Sequence, residues 1–269
     1  MNHSILSNGL HISYCDTGKG NTTLLFVHGS YIDKTYWNKQ VDYFKPAYRV
    51  ITVDLAGHGE SGKNRESWTI EGFGDDILQL IRELKLKNVI LIGHSVAGDV
   101  NLVAAAKDPS AMIGFVGVDT FKLAATALPP QFQEQIKTIK QNLKTDFKNT
   151  NEQYAKMVLL TQQTPAVITD RIVKDYRNAY EPMGGPITNQ VFDFYKKEQE
   201  LLPKLHFKLY LINVDYMPTN EEPLKKFPGN GYKLFHLPGT SHYPMIENPD
   251  LLNQALAEAI MEIEQTRKS

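Results

Sequence analysis

Ser95 is the residue whose surroundings point most directly to chemistry. It lies in the segment GHSVAG, residues 93–98, which follows the apolar run Asn88 to Ile92 and precedes a helix-compatible stretch. A serine on a sharp turn between a buried strand and a helix presents its hydroxyl at the edge of a sheet. Such a turn needs small residues two positions before and after the serine. Gly93 meets this requirement, and Ala97 adds one methyl group.

A serine hydroxyl is a weak nucleophile until a base takes its proton. His242 is the candidate base, because an imidazole titrates near neutral pH and because this histidine precedes a predicted helix start at Asn248-Pro249. A carboxylate must then hold the imidazole in the correct tautomer and stabilise the imidazolium. Two aspartates that follow apolar runs, Asp119 and Asp215, are available for this role.

Short apolar runs without polar alternation predict strands that are buried on both faces, as in a parallel sheet. They are Thr23 to Val27, Arg49 to Val53, Asn88 to Ile92, Ile113 to Val118, Phe207 to Ile212 and Tyr232 to Leu237. Helical apolar stripes cover Ile70 to Leu84 and Leu251 to Ile263. This alternation predicts an α/β fold with a mostly parallel, doubly wound sheet.

One segment, from about Lys122 to Leu205, shows no convincing strand. We predict that it is a helical cap inserted into a single α/β domain of residues 1–269. Its four candidate helices lie around Pro130–Phe147, Glu152–Gln162, Ala166–Asn178 and Thr188–Leu202. Aromatic and methionine side chains are frequent in the cap, and we expect a few of them to line an apolar substrate pocket.

Four further segments, taken with GHSVAG, resemble the motifs of the α/β-hydrolase family. They are VHGS at residues 27–30, VDLAGHGESG at 53–62, VDYMP at 214–218 and GTSHYPMIENP at 239–249. In this order and spacing the motifs are specific for the fold and much less so for the substrate. The resemblance extends from about residue 10 to residue 263.

The resemblance implies a catalytic triad and an oxyanion hole. Its chain order of serine, acid and histidine favours Ser95, Asp215 and His242, with Asp119 as the alternative acid. The backbone N–H groups of Ser30 and Val96 would bind the oxyanion. Asp215 departs from the family's G-x-x-D spacing by one residue, and some members place the acid at the position of Asp119.

Other polar residues in these motifs have simpler interpretations. We expect Asp54 to hydrogen-bond within its own turn. His28 and His58 lie in glycine turns whose backbone role accounts for them, and we expect no metal site. Asp99 lies in the first turn of the helix after Ser95, where its charge complements the helix dipole, although it could also face the pocket.

The leading hypothesis is a cofactor-free serine hydrolase that cleaves a small, apolar carboxylic ester, thioester or lactone through an acyl-enzyme. A first alternative is a C–C bond hydrolase or lyase that uses the same triad. A second alternative, from a different functional class, is a hydrolase-like ligand receptor with slow turnover. Haloalkane dehalogenases and epoxide hydrolases of this family need a carboxylate at the position of Ser95.

Composition excludes several other classes. The net charge of −1 provides no basic surface for nucleic acid. The single cysteine excludes an internal disulfide and a cysteine-based zinc cluster. Apolar runs fall short of a membrane span, and the N-terminus lacks the pattern of a signal peptide. We therefore expect a cytoplasmic monomer or homodimer.

Overall fold

The computed structural model describes residues 2–267. Within them, eight strands form one sheet in the order β1-β2-β4-β3-β5-β6-β7-β8. The strands are β1 (Asn2–Ser7), β2 (Leu10–Asp16), β3 (Thr23–Val27), β4 (Arg49–Val53), β5 (Val89–His94), β6 (Met112–Val118), β7 (Leu209–Val214) and β8 (Tyr232–Leu237). β2 pairs antiparallel with both β1 and β4, and the remaining five pairs are parallel. The predicted α/β class is confirmed, and each of the six predicted runs is a strand.

Helices flank this sheet. They are α1 (Asn38–Phe44), α2 (Ile70–Glu83), α3 (Ala97–Lys107), α4 (Pro130–Thr145), α5 (Phe147–Tyr154), α6 (Ala166–Arg177), α7 (Glu181–Val191), α8 (Tyr195–Leu201), α9 (Glu221–Lys226), α10 (Pro244–Glu247) and α11 (Pro249–Thr266). The predicted start of α11 is confirmed, because the Asn248 side chain accepts a hydrogen bond from Leu251 N. None of the helices in residues 2–267 has both the length and the apolar character needed to cross a membrane.

The core lies between the sheet and its helices. β3, β5 and β7 are buried at every residue, which explains why their sequences lack polar alternation. α11 packs so closely on β6 that a Cβ added to Gly114 would lie 2.6 Å from the Ile263 side chain. The parallel register aligns the carboxyl ends of β5, β6 and β7, so the loops after these strands meet at one edge.

The segment between β6 and β7 contains α4 to α8 and, in residues 2–267, no strand. The sequence prediction missed the start of α7, because Pro182, Gly184, Gly185 and Pro186 are poor helix formers, and its helix Thr188–Leu202 joined the end of α7 to α8. Packing overrides that weak propensity. Met183 and Ile187 are buried on one face of α7, and a Cβ at Gly184 would collide with the Phe147 ring.

The turn after β4 is built around Asp54. Its carboxylate accepts hydrogen bonds from the backbone N–H groups of Lys34 and Glu60, and it pairs with Lys34 Nζ at 2.5 Å. The structure therefore agrees with the expectation that Asp54 organises its own turn. A Cβ at Gly59, where φ is +47°, would lie 2.4 Å from this carboxylate, so glycine is required there.

His28 and His58 are buried beside this turn, with ring centroids 5.0 Å apart. His28 Nε2 accepts from Leu55 N at 3.0 Å, which leaves Nδ1–H to donate to Gly29 O. Burial lowers the pKa of His28, and it lowers the pKa of His58 to about 3. Within residues 2–267, no group of three or more His, Cys, Asp or Glu side chains could hold a metal ion.

These buried neutral histidines predict acid sensitivity. The unfolded chain binds their protons near pH 6.5 whereas the folded chain does not, so stability is present above that pH and decreases as the pH falls below it. Each such histidine contributes a slope of up to about 1.4 kcal/mol per pH unit. Urea unfolding at successive pH values should show this slope. In His58→Asn the number of protons taken up on unfolding should be smaller by about one, so the slope should decrease accordingly. An unchanged slope in that variant contradicts the assignment.

Candidate active site

Ser95 occupies a strained turn between β5 and α3. Its φ is +56°, a left-handed conformation that costs a non-glycine residue about 1–3 kcal/mol. Ser95 N donates to Val118 O at 3.1 Å, and Gly98 N donates to Ser95 O at 2.8 Å, so the turn is held on both sides. A Cβ at Gly93 would lie 2.5 Å from Ala97 O. Strand and helix are thus too close for a larger residue at position 93.

The two residues predicted to bind an oxyanion both lie beside Ser95. Val96 is the N-cap of α3, and the first N–H groups of a helix lack intrahelical partners and lie at its positive end. Ser30 follows β3 and lines a small cavity of about 50 Å³ together with Ser95 and His242. A Cβ at Gly29 would lie 3.1 Å from Ser95 Cβ, so this loop approaches the serine closely.

His242 and Asp119 form a buried pair. His242 Nδ1 lies 2.5 Å from Asp119 Oδ2, and the two residues are 7% and 4% exposed. His242 lies in the loop of residues 239–243, here called the histidine loop. Its backbone N–H donates to Leu159 O at 3.0 Å, which links this loop to the cap. Ser95, His242 and Asp119 all line a larger cavity of about 220 Å³. The structure therefore brings a serine, a histidine and a carboxylate to one cavity.

Asp215, the favoured acid, lies elsewhere, and the structure pairs His242 with the alternative acid, Asp119. Its carboxylate is 48% exposed and lies 3.2 Å from Nδ1 of His236, another exposed residue. β7 continues through Val214, so Asp215 begins the outward turn after the strand. Asp119 instead follows β6, and its own N–H donates to Ile212 O at 2.9 Å. The one-residue shortening at Asp215 was the signal that this position is displaced.

A buried lysine fixes the orientation of Asp119. Lys122 Nζ lies 2.8 Å from Asp119 Oδ1 and donates to Val214 O and Met217 O at 2.8 and 2.9 Å. Asp119 Oδ1 also accepts from Val214 N at 3.1 Å. One carboxylate oxygen is therefore held by Lys122 and Val214, and the other faces His242. Sequence reasoning did not identify Lys122, because its partners after β7 are distant in the chain.

Lys122→Met is expected to destabilise the protein by about 3–5 kcal/mol, because it leaves a buried carboxylate without its cation. Turnover should fall as well, since Asp119 loses one of the contacts that orient it. Urea unfolding and ester hydrolysis measure the two effects. Lys137→Met, at a side chain that is 74% exposed, is the matched control and should change stability by less than about 0.5 kcal/mol. Equal stability of the two variants contradicts this role for Lys122.

His94 supports the histidine loop through a hydrogen bond to its backbone. Its Nε2–H donates to the carbonyl of His242 at 2.7 Å, and the two rings lie 4.5 Å apart. Burial, together with the nearby His242, lowers the pKa of His94 well below its usual value, so the ring is neutral. His94 is therefore a packing residue that holds the backbone of His242 in place.

The larger cavity is mostly apolar away from His242. Its walls combine residues after β6 with residues of the cap, including Phe121, Leu123, Ala124, Tyr154, Val158, Leu159, Val191 and Phe192. Two acidic residues, Asp99 and Glu198, also line it. The inserted helices thus form part of the cavity wall, and the cavity suits a small molecule with an apolar portion.

Comparison with known proteins agrees with this fold. A family model described as alpha/beta hydrolase fold matches residues 22–249. A solved structure of a thermophilic esterase from Thermogutta terrifontis, with malate bound, superposes with a TM-score of 0.82 over 98% of this chain and 99% of that one, at 22% identity. That likeness is one of fold.

Two curated relatives match shorter segments. The (E)-2-((N-methylformamido)methylene)succinate hydrolase of Acinetobacter baylyi is 34% identical over 90 residues, which are 34% of this chain and 34% of that protein. The Karrikin insensitive 2 receptor IA of Petunia hybrida is 26% identical over 158 residues, 53% of this chain and 54% of the receptor. The chain thus spans about a third to a half of the length of these two relatives.

Proposed function

The chain belongs to the alpha/beta hydrolase fold family, and on this premise we propose that it is a serine hydrolase acting on a small carboxylic ester, thioester or lactone. The observation that carries the proposal is the buried contact between His242 and Asp119 in the same cavity as Ser95. Asp119 orients His242, so that Nε2 is the ring nitrogen available to take a proton.

The reaction then follows from the chemistry of these groups. As Ser95 Oγ attacks the carbonyl carbon, His242 Nε2 takes its proton and later transfers it to the leaving alcohol or thiol. The backbone N–H groups of Ser30 and Val96 stabilise the negative oxygen of the tetrahedral intermediate, each by about 2.7–4 kcal/mol. Water, deprotonated by His242, cleaves the acyl-enzyme and restores Ser95. These steps need no cofactor or metal.

A fluorophosphonate probe tests the nucleophile before any substrate is known. We expect stoichiometric labelling, with the label on the peptide that contains Ser95, because only an activated serine attacks phosphorus rapidly. Before labelling, the same preparation should hydrolyse 4-nitrophenyl acetate and butyrate continuously. Labelling at another residue, or none while the protein is folded, contradicts the proposal.

The similarity to a named receptor from Petunia hybrida supports a second candidate function, a ligand receptor with slow turnover. In this chain the cap contacts the histidine loop through Leu159 O and His242 N. A receptor would be labelled at Ser95 but would release product very slowly. Labelling together with rapid multiple turnover favours the enzyme, and labelling with one turnover or few favours the receptor.

A further inference from the structure

The larger cavity has a second polar region besides His242 and Asp119. Asp99, in the first turn of α3, and Glu198, in α8 of the cap, both line it. They are 7% and 9% exposed. Ser95 lines the same cavity, so a molecule bound there can contact the serine and this acidic pair at the same time.

The two carboxyl groups lie close enough to act on each other's titration, and two adjacent carboxyl groups can hydrogen-bond only by sharing a proton. Glu198 Oε2 also accepts a hydrogen bond from Ala125 N, so Glu198 is the acceptor side of the pair. Burial, reinforced by Glu198, raises the pKa of Asp99 well above its usual range, and burial raises the pKa of Glu198. Both shifts are in the direction that lets the pair share one proton and retain one negative charge.

This pair is incompletely satisfied. Within residues 2–267, Asp99 Oδ1 has no hydrogen-bond partner although it is buried. Glu198 and Glu71, the charged groups with the largest effect on Asp99, are both carboxylates. Lys122 lines the same cavity, but its Nζ is held by Asp119, Val214 O and Met217 O. A buried negative charge and a free acceptor are both costly until a donor reaches them.

We propose that Asp99 and Glu198 form a subsite that binds a protonated amine of the substrate. One ammonium N–H donates to the carboxyl group of Asp99 where this residue lines the cavity, and the positive charge offsets the negative charge of Glu198. The apolar wall between the two polar regions then accommodates the alkyl portion. Resting on the proposed ester hydrolysis, this assigns the substrate class as a small amino-substituted ester rather than a wholly apolar one.

Binding of n-alkylammonium ions, from propyl to hexyl, tests the subsite without any turnover. The 1-alkanols with the same number of heavy atoms are the neutral controls, and ligand-observed NMR titration measures both series. We expect the best ammonium ion to bind about tenfold or more tightly than its alkanol, since hydrogen bonds to charged groups contribute about 1.5–3 kcal/mol. It should also slow fluorophosphonate labelling of Ser95. Equal affinities of the two series overturn the proposal.

Two conservative variants separate this role from a structural link between α3 and α8. Glu198→Gln makes the pair neutral and should abolish the preference for ammonium. Asp99→Asn should retain the preference within about threefold, because its amide donates to Glu198 and its carbonyl replaces Oδ1. Glu134→Gln, at an exposed side chain, is the control. A preference unchanged in Glu198→Gln overturns the proposal. If that variant does not fold, the comparison of alkylammonium ions with alkanols in the wild-type protein still tests the proposal.

These measurements distinguish the failure of the subsite from the failure of the proposed function. Binding is read directly, so it does not depend on hydrolysis. Labelling at Ser95 with equal affinities refutes the subsite and leaves the hydrolase proposal intact. Preferential ammonium binding without labelling at Ser95 refutes the hydrolase proposal and leaves the ammonium subsite intact.

Discussion

Asp119→Asn is expected to lower kcat for 4-nitrophenyl acetate by about 10⁴-fold. The structure determines how the asparagine must lie. Because Lys122 Nζ and Val214 N both donate toward Oδ1, the amide oxygen is required on that side. The NH₂ group then faces His242 Nδ1 and donates to it. The proton of the imidazole is thereby placed on Nε2, where it prevents His242 from accepting the proton of Ser95.

Asp215→Asn is the matched control, because it is the same substitution at the other candidate acid. Asp215 contacts only the exposed His236 among the hydrogen bonds and ion pairs described for it in residues 2–267. The kcat of Asp215→Asn should equal that of the wild type, and its free energy of unfolding should change by less than about 0.5 kcal/mol. Loss of activity in Asp215→Asn with normal activity in Asp119→Asn would mean that the loop after β7 rearranges to bring Asp215 to His242.

The sequence alone was sufficient to predict those elements whose conformation depends on a few neighbouring residues. A continuous apolar run, followed by small residues around Ser95, specifies a buried strand and a tight turn without reference to the rest of the chain. The Asn248-Pro249 pair similarly marks the start of α11. These positions depend on conformational preferences of a few neighbouring residues, which a single sequence displays.

The triad acid depends on geometry between strands. Whether position 119 or 215 reaches His242 is set by the residue at which β6 and β7 end and by how their loops pair. Lys122 contributes to this geometry. Its Nζ pairs with Asp119 and donates to carbonyl groups at the end of β7 and in the following loop, about 95 residues away in the sequence. The contact between Asp99 and Glu198 is likewise long-range. Neither leaves a periodic signal, so neither follows from spacing.

Ser95→Ala is expected to reduce ester turnover by about 10⁶-fold and to abolish fluorophosphonate labelling. Because the triad acts as a unit, Ser95→Ala combined with His242→Ala should be no less active than Ser95→Ala alone. The residual rate reports what the oxyanion donors and the cavity achieve without a nucleophile. Retention of more than about a tenth of the wild-type rate would show that another group attacks the substrate.

Comparison of Ser95→Ala with Ser95→Gly isolates the strain of the turn. Alanine must adopt the same positive φ as serine, so Ser95→Ala should unfold at nearly the same urea concentration as the wild type. Glycine adopts this φ without a steric penalty, and Ser95→Gly should be more stable by about 1 kcal/mol although it is equally inactive. A gain in stability that accompanies a loss of activity shows that the fold holds Ser95 in a costly conformation to present its hydroxyl to the cavity.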